Sequence, residues 1–253
     1  MKEVAVSVKC NKFKNRFWFS ACPKTGTQSI EAIIKENFEH SYSYTDEFHE
    51  KVAKIITLPQ FYKRDTLFGT IRNPWERLVS NFNYQKKSVN TKIEYLAKPE
   101  EYKKDFPRKQ WHYKNEDWVT NLYLAADQIY NTFDNYIKWC NRFSGMHVYQ
   151  KGYFRDNVIK LINDFDTPVG FGINTQTEWY AGRDIHLLYL LKIEEPEPII
   201  DFFRDVFDTK IEELPFVNVT GNGKEYRDYF TPKLRKMVDI LERPIILSGN
   251  YKY

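Results

Sequence analysis

Two short stretches of this chain combine residue types that hold phosphate. The first, Pro23-Lys24-Thr25-Gly26-Thr27-Gln28, offers a cation, two hydroxyls and a glycine that lets backbone come close to a ligand. The second, Arg72-Asn73-Pro74-Trp75-Glu76-Arg77-Leu78-Val79-Ser80, sets an arginine eight residues before a serine. A guanidinium forks onto phosphate through charge-assisted N–H donors, and a hydroxyl two turns along the following helix can converge on the same group. Each stretch alone has an ordinary alternative. The first would be a plain strand-helix connection; the second would be an ion-paired arginine and a small packing serine. The first is not the nucleoside-triphosphatase loop, which requires Gly, four residues and then Gly-Lys-Ser/Thr. Here the lysine precedes the glycine, so a site shaped for a β/γ-phosphate with Mg²⁺ is not indicated.

Both stretches sit where elements change. Phe17-Trp18-Phe19-Ser20-Ala21-Cys22 is an apolar run of strand length, and Ile30, Ile33, Ile34 and Phe38 then recur along one helix face. The first loop therefore joins a strand to a helix, where backbone N–H groups and the helix dipole favour an anion. Thr66 to Ile71 repeats the pattern as a second strand, with Asn73 as helix N-cap, Pro74 at the first helical position, and Trp75, Leu78, Val79 and Phe82 on one face. Phe48, Val52, Ile55 and Ile56 mark a helix between these units. Further helices are predicted near 117–127, 132–143 and 197–207, and a strand near 187–193. Thr231 and Pro232 open a last helix carried by Leu234, Val238 and Leu241. Alternating strands and helices predict an α/β fold, three layers around a central, mostly parallel sheet. No repeat, low-complexity tract or Pro/Gly/Ser linker divides the chain, so residues 1–253 read as one domain.

The Phe-x-Phe-x-x-x-Pro-Lys-Thr-Gly-Thr run followed by Arg-Asn-Pro-Trp-Glu-Arg-Leu-Val-Ser resembles the carbohydrate-type, Golgi-like and bacterial sulfotransferases. Leu214 to Thr220 and Tyr226 to Pro232 resemble the cofactor loop and closing helix of that family. The resemblance runs from about residue 16 to 245. It implies a sulfotransferase fold related to the P-loop nucleotide-binding proteins. It also implies 3′-phosphoadenosine 5′-phosphosulfate (PAPS) as donor, adenosine 3′,5′-bisphosphate as product, and no metal. By the same resemblance the first motif grips the 5′-phosphosulfate, and Arg72 and Ser80 the 3′-phosphate. Residues 85–175 match nothing in the family's pattern and are expected to form an insertion that recognises the acceptor.

In sulfuryl transfer Lys24 would stabilise charge on the bridging oxygen, while Thr25, Gly26, Thr27 and Gln28 would hold the phosphate. Lys224, in Gly221-Asn222-Gly223-Lys224, either closes over the 3′-phosphate or belongs to a plain surface turn. The acceptor hydroxyl needs a base. His49 matches the position of the family's catalytic histidine, a little over twenty residues before the arginine, and Glu47 is the alternative.

Composition sets the remaining bounds. With 253 residues, 42% hydrophobic and 28% charged, the chain can build a real core, which excludes a disordered protein. Three widely spaced cysteines, Cys10, Cys22 and Cys140, give no disulfide framework and point to a reducing compartment. No run reaches 18 apolar residues and the N-terminus offers only a short strand-like run, so no membrane span or signal is expected and the location is read as cytoplasmic. Net charge is +4, and residues 85–116 hold nine Lys or Arg against five Asp or Glu, interleaved with aromatics. That segment is either a solvated surface or a wall that attracts an anionic acceptor. The expected partner is a hydroxyl-bearing acceptor such as a glycan, not nucleic acid. Competing functions are a nucleotide or small-molecule kinase and a non-enzymatic binder of polyanions or nucleic acid. A cysteine phosphatase built on Cys22 would need arginine at position 28, which is Gln.

Overall fold

The computed structural model describes residues 6–10, 12–38, 40–42, 55–56, 61–97, 127, 129–144, 175–181, 188–215 and 225–253. The chain divides into two compact units. One comprises Met1–Arg77, Thr175–Asp228 and Val238–Tyr253; the other comprises Leu78–Asn174 and Tyr229–Met237.

The first unit is built on a five-stranded sheet of β1 (Val6–Cys10), β2 (Asn15–Ser20), β3 (His40–Tyr42), β4 (Thr66–Ile71) and β5 (Leu188–Lys192), in the order β3-β1-β2-β4-β5. β2 is parallel to β4 and β4 to β5, whereas β1 is antiparallel to both β2 and β3. Four strands thus run one way and β1 alone is reversed, so the sheet is mostly parallel, as its alternating elements predict. The predicted strand at 17–22 begins two residues earlier and stops at Ser20, because Asn15 and Arg16 extend the pairing with β1 while Ala21 and Cys22 turn into the loop.

Alternation along β2 and β4 divides their side chains between two faces. Phe17, Phe19 and Phe68 lie in one buried cluster with Ile30, Ile33 and Ile34 of helix α1 (Thr27–Asn37). The cluster is completed by Ile199, Phe202 and Phe203 of a later helix, Pro196–Phe207. Ring centroids there stand 5.0 Å (Phe19 to Phe68) and 5.4 Å (Phe68 to Phe202) apart, within the range of favourable aromatic pairs. On the opposite face a Cβ at Gly69 would come within 2.6 Å of the Tyr180 ring, so glycine is what admits that tyrosine. Helical elements therefore cover both faces, an arrangement compatible with three layers.

The second strand-helix junction forms as its sequence predicts. Helix α2 spans Pro74–Ala97, and its third residue, Glu76, donates its amide to Asn73 Oδ1 at 3.2 Å, making Asn73 the cap. Helix α3 is Phe133–Ser144; α4 is Gln176–Tyr180; α5 is the Pro196–Phe207 helix of the core. α4 opens with a reciprocal capping box between Thr175 and Glu178. Helix α6 (Pro232–Leu241) has Thr231 Oγ1 accepting from Leu234 N at 3.3 Å, the expected cap. It is not the last helix, since α7 (Arg243–Ser248) follows. Pro244 accounts for the break: a proline within the first turn starts a helix readily and cannot sit inside one. In the second unit, Phe82, Phe133, Tyr136 and Phe230 form an aromatic cluster, with Phe133 5.4 Å from Phe82 and 5.0 Å from Phe230. Asn81 donates to Tyr136 Oη at 3.1 Å beside it.

Among the described residues no helix is long and apolar enough to cross a membrane. The three cysteines are buried and none is in a disulfide. The helix read at Phe48 and Val52, and the one near 117–127 apart from Asp127, lie outside the described residues.

One buried charge pair ties the first unit together. Arg77 and Glu242 are both 0% exposed, with Nη1 3.9 Å from Oε1. Removing one partner from such a pair strands a buried charge. Arg77→Met or Glu242→Leu alone is expected to cost about 3–5 kcal/mol. The double variant should cost less than the two single losses added, and urea unfolding of the three proteins measures that difference.

Candidate functional site: a loop and an arginine at adjacent strand ends

The segment after β2 is held by its own side chains. Cys22 donates its amide to Ser20 O at 3.2 Å, and Thr25 Oγ1 donates to Cys22 O at 2.7 Å. Because that spends the only hydroxyl proton of Thr25, the 2.9 Å contact with Thr70 Oγ1 is donated by Thr70. Thr25 is fully buried. Its hydroxyl is engaged within the protein, with Cys22 and Thr70. The carbonyl of Pro23 accepts from Arg77 Nε at 3.0 Å.

Two residues bend the loop through left-handed backbone, Lys24 at φ 68° and Gly26 at φ 77°. For a lysine that conformation costs roughly 1–2 kcal/mol, and the surrounding hydrogen bonds sustain it. Gly26 is the N-cap of α1, its carbonyl accepting from Ser29 N at 3.0 Å and Ile30 N at 3.4 Å. No side chain caps this helix and no acid occupies its first turn, so nothing negative built into the helix start offsets the positive end of the dipole. Gln28 is exposed and Thr27 buried.

Arg72 follows β4, the parallel neighbour of β2. Its backbone is clasped by a side-chain amide: Arg72 N donates to Gln176 Oε1 at 2.9 Å, and Gln176 Nε2 donates to Arg72 O at 2.8 Å. The next amide, Asn73 N, donates to Glu194 Oε1 at 2.5 Å, and Tyr251 Oη donates to the other oxygen of Glu194 at 3.0 Å. Burial, with the Glu194 charge beside it, pushes the Tyr251 phenol well up, so it remains a donor. The guanidinium of Arg72 is part exposed and gives Nη2 to Glu76 Oε1 at 2.6 Å. That contact uses one of five N–H donors.

Glu242 joins the two halves. It accepts from Gln176 N at 2.7 Å, Thr177 N at 2.8 Å and Thr177 Oγ1 at 2.9 Å, while pairing with Arg77. Arg77 fixes the Pro23 carbonyl and Gln176 fixes the Arg72 backbone, so one carboxylate aligns the loop and the arginine. Burial still pushes its carboxyl above the ordinary carboxylate range, against the pull of Arg77 and three hydrogen bonds.

The two cations interact. Burial first, and the Arg72 charge second, hold the Lys24 ammonium below its ordinary value. A half-buried lysine on which an arginine charge acts is an arrangement that an anion relieves. The structure thus brings Lys24, Thr25, Gly26, Thr27 and Gln28 into one loop and sets Arg72 close enough for its charge to act on it. Ser80 lies half-buried on α2, where that helix runs in the second unit. His49, Glu47 and Lys224 lie outside the described residues, as does the basic segment beyond residue 97. Among the described residues no three His, Cys, Asp or Glu side chains group as a metal site.

No family model, curated protein or solved structure matches the chain. The site is therefore read from its residues. Sequence reasoning missed Gln176, Glu194 and Glu242. Only Gln176 had a local signal near it, the Thr175-x-x-Glu178 capping box that marks a helix start.

Gly26 supplies a direct test of the loop geometry. A Cβ there would stand 2.4 Å from Ile193 Cδ1, on a backbone that L-residues avoid. Gly26→Ala is expected to lower stability by about 1–3 kcal/mol from the backbone alone, plus the displacement of Ile193. Ile193→Ala in the same chain should restore only the second part, which chemical denaturation of both variants resolves.

Proposed function

We propose that this chain is a PAPS-dependent sulfotransferase that moves a sulfuryl group to an acceptor hydroxyl, as its two phosphate motifs imply. One observation carries the reading: Lys24 and Arg72 stand at the ends of adjacent parallel strands, near enough that the Arg72 charge bears on the Lys24 ammonium, beside a helix start that has no acid. A donor with phosphate at both its 5′ and 3′ positions calls for two separated cationic grips on one scaffold. The loop of residues 23–28 would take the 5′-phosphosulfate, and Arg72 with Ser80 the 3′-phosphate. Lys224 would add a further cation to the 3′ end, and the fold would be of the P-loop-related sulfotransferase type.

The chemistry asks little else of the protein. The acceptor oxygen attacks sulfur in line, the bond from sulfur to the 5′-phosphate oxygen breaks, and the acceptor proton passes to a base. Lys24 stabilises the charge that develops on the leaving oxygen, and its lowered proton affinity makes it a ready partner for that charge. His49 is the proposed base and Glu47 its alternative. The acceptor is proposed to be a glycan or small molecule recognised by residues 85–175.

Affinity for adenosine 3′,5′-bisphosphate tests the donor assignment. Arg72→Ala should weaken it by about 1.5–3 kcal/mol, the value of a hydrogen bond to a charged partner, while adenosine 5′-phosphate binds nearly equally to both proteins. Unchanged bisphosphate affinity in calorimetry would remove Arg72 from the site.

Sulfate transfer from labelled PAPS to acceptor pools tests the base. His49→Ala should lower kcat roughly 10²–10⁴-fold with bisphosphate affinity intact. An active His49→Ala protein beside an inactive Glu47→Ala protein would assign the base to Glu47.

A further inference from the structure

A second cationic site lies at the other end of β2. Its start, the end of β1 and the turn entering β4 enclose a cavity of about 470 Å³ lined by Lys9, Lys14, Arg16, Tyr62, Arg64 and Asp65, among others. β2 separates it from the Lys24 loop by roughly 16 Å, five steps of strand rise. One small molecule therefore does not fill both places.

The charges in this cavity are unbalanced. Its one acid, Asp65, is buried and already engaged: Oδ2 accepts from Trp18 Nε1 at 2.9 Å and Tyr62 N at 3.0 Å, and Oδ1 accepts from Arg16 N at 3.4 Å. Lys9, Lys14, Arg16 and Arg64 make no ion pair with any carboxylate among the described residues. Lys9 and Arg16 are direct cross-strand partners in the β1–β2 register. Like charges placed directly opposite are destabilising, and neither of these two is ion-paired among the described residues. Their spacing lets an arginine fork and a lysine ammonium share one tetrahedral anion. Tyr62, 57% exposed, lies with the Arg64 guanidinium 6.0 Å from its ring centroid, so its ring offers a flat face next to the charge. The cavity is of the size that holds a small organic ligand and larger than a bare phosphate needs.

We propose that this cavity is an anion subsite for a sugar bearing a phosphate or sulfate monoester, with Lys9 and Arg16 on the ester group, Arg64 and Lys14 flanking it, and Tyr62 against the ring. This inference stands apart from the reading of the Lys24 loop.

Calorimetry on the full chain tests it with glucose 6-phosphate, glucose 6-sulfate, inorganic phosphate and glucose. One or both esters should bind more tightly than phosphate, and glucose should not bind; which ester binds better separates the two sources. Arg16→Gln/Arg64→Gln should weaken ester binding roughly tenfold or more, the loss expected for charge-assisted bonds. Lys9→Gln/Lys14→Gln, on two exposed side chains, provides the same readout should the first variant fold poorly. Lys24→Ala/Arg72→Ala should leave ester binding unchanged. The proposal is overturned if neither ester binds, if phosphate binds as tightly as both, if both glutamine variants bind like the parent, or if the Lys24→Ala/Arg72→Ala protein loses the binding.

Discussion

A carboxylate removed from water has to be met by donors from several directions, and Glu242 is met by an arginine, two backbone amides and a hydroxyl. Each donor belongs to a segment that the candidate site uses. Arg77 reaches on to the Pro23 carbonyl, and the Gln176 whose amide Glu242 holds clasps the backbone of Arg72. The strained lysine of the loop and the arginine at the next strand end thus inherit their alignment from a group that touches neither. Such a pair adds little net stability over an apolar equivalent, because desolvation offsets most of the attraction. Its value here is geometric: it admits one arrangement of loop, strand end and short helix, and it penalises the others.

The sheet performs the coarser half of that task. β2 and β4 are parallel neighbours, so the segments that leave them, the Lys24 loop and Arg72, emerge at the same edge. Phe17, Phe19 and Phe68 bury one face against α1 and α5, and Gly69 lets Tyr180 close on the other. A one-residue slip of β2 would turn Phe17 and Phe19 away from that core, so the apolar pattern also fixes where the loop begins.

The parts legible in the sequence were those with a local signature. The isoleucines of α1, the Asn73-Pro74 start of α2 and the apolar β4 each announce themselves within a dozen residues, and the structure forms them there. Lys24 and Arg72 were legible because they stand at the ends of such elements. Glu242 was not, because in Leu241-Glu242-Arg243-Pro244 it reads as one more surface charge between two helices. Its role depends on Arg77 and Gln176, which no periodicity links to it. The same holds for Glu194, paired with Asn73 and Tyr251. The hairpin of β1 and β2 escaped for another reason: its turn, residues 12–14, puts Lys14 rather than glycine or asparagine at the left-handed position.

The distance along the chain between Arg77 and Glu242 bears on how the protein comes into being. When a chain is made from its N-terminus, β2, the loop and β4 emerge early, with Arg77 close behind, and the carboxylate that completes them emerges far later. Until then a guanidinium destined for the interior has no counter-charge there, which holds the sheet's polar end open to water. Closure of a contact so remote in sequence is slow relative to local helix formation. The edge that carries the Lys24 loop and Arg72 thus depends on a contact that forms late, and an interrupted chain would carry both motifs in full while lacking the one group that aligns them.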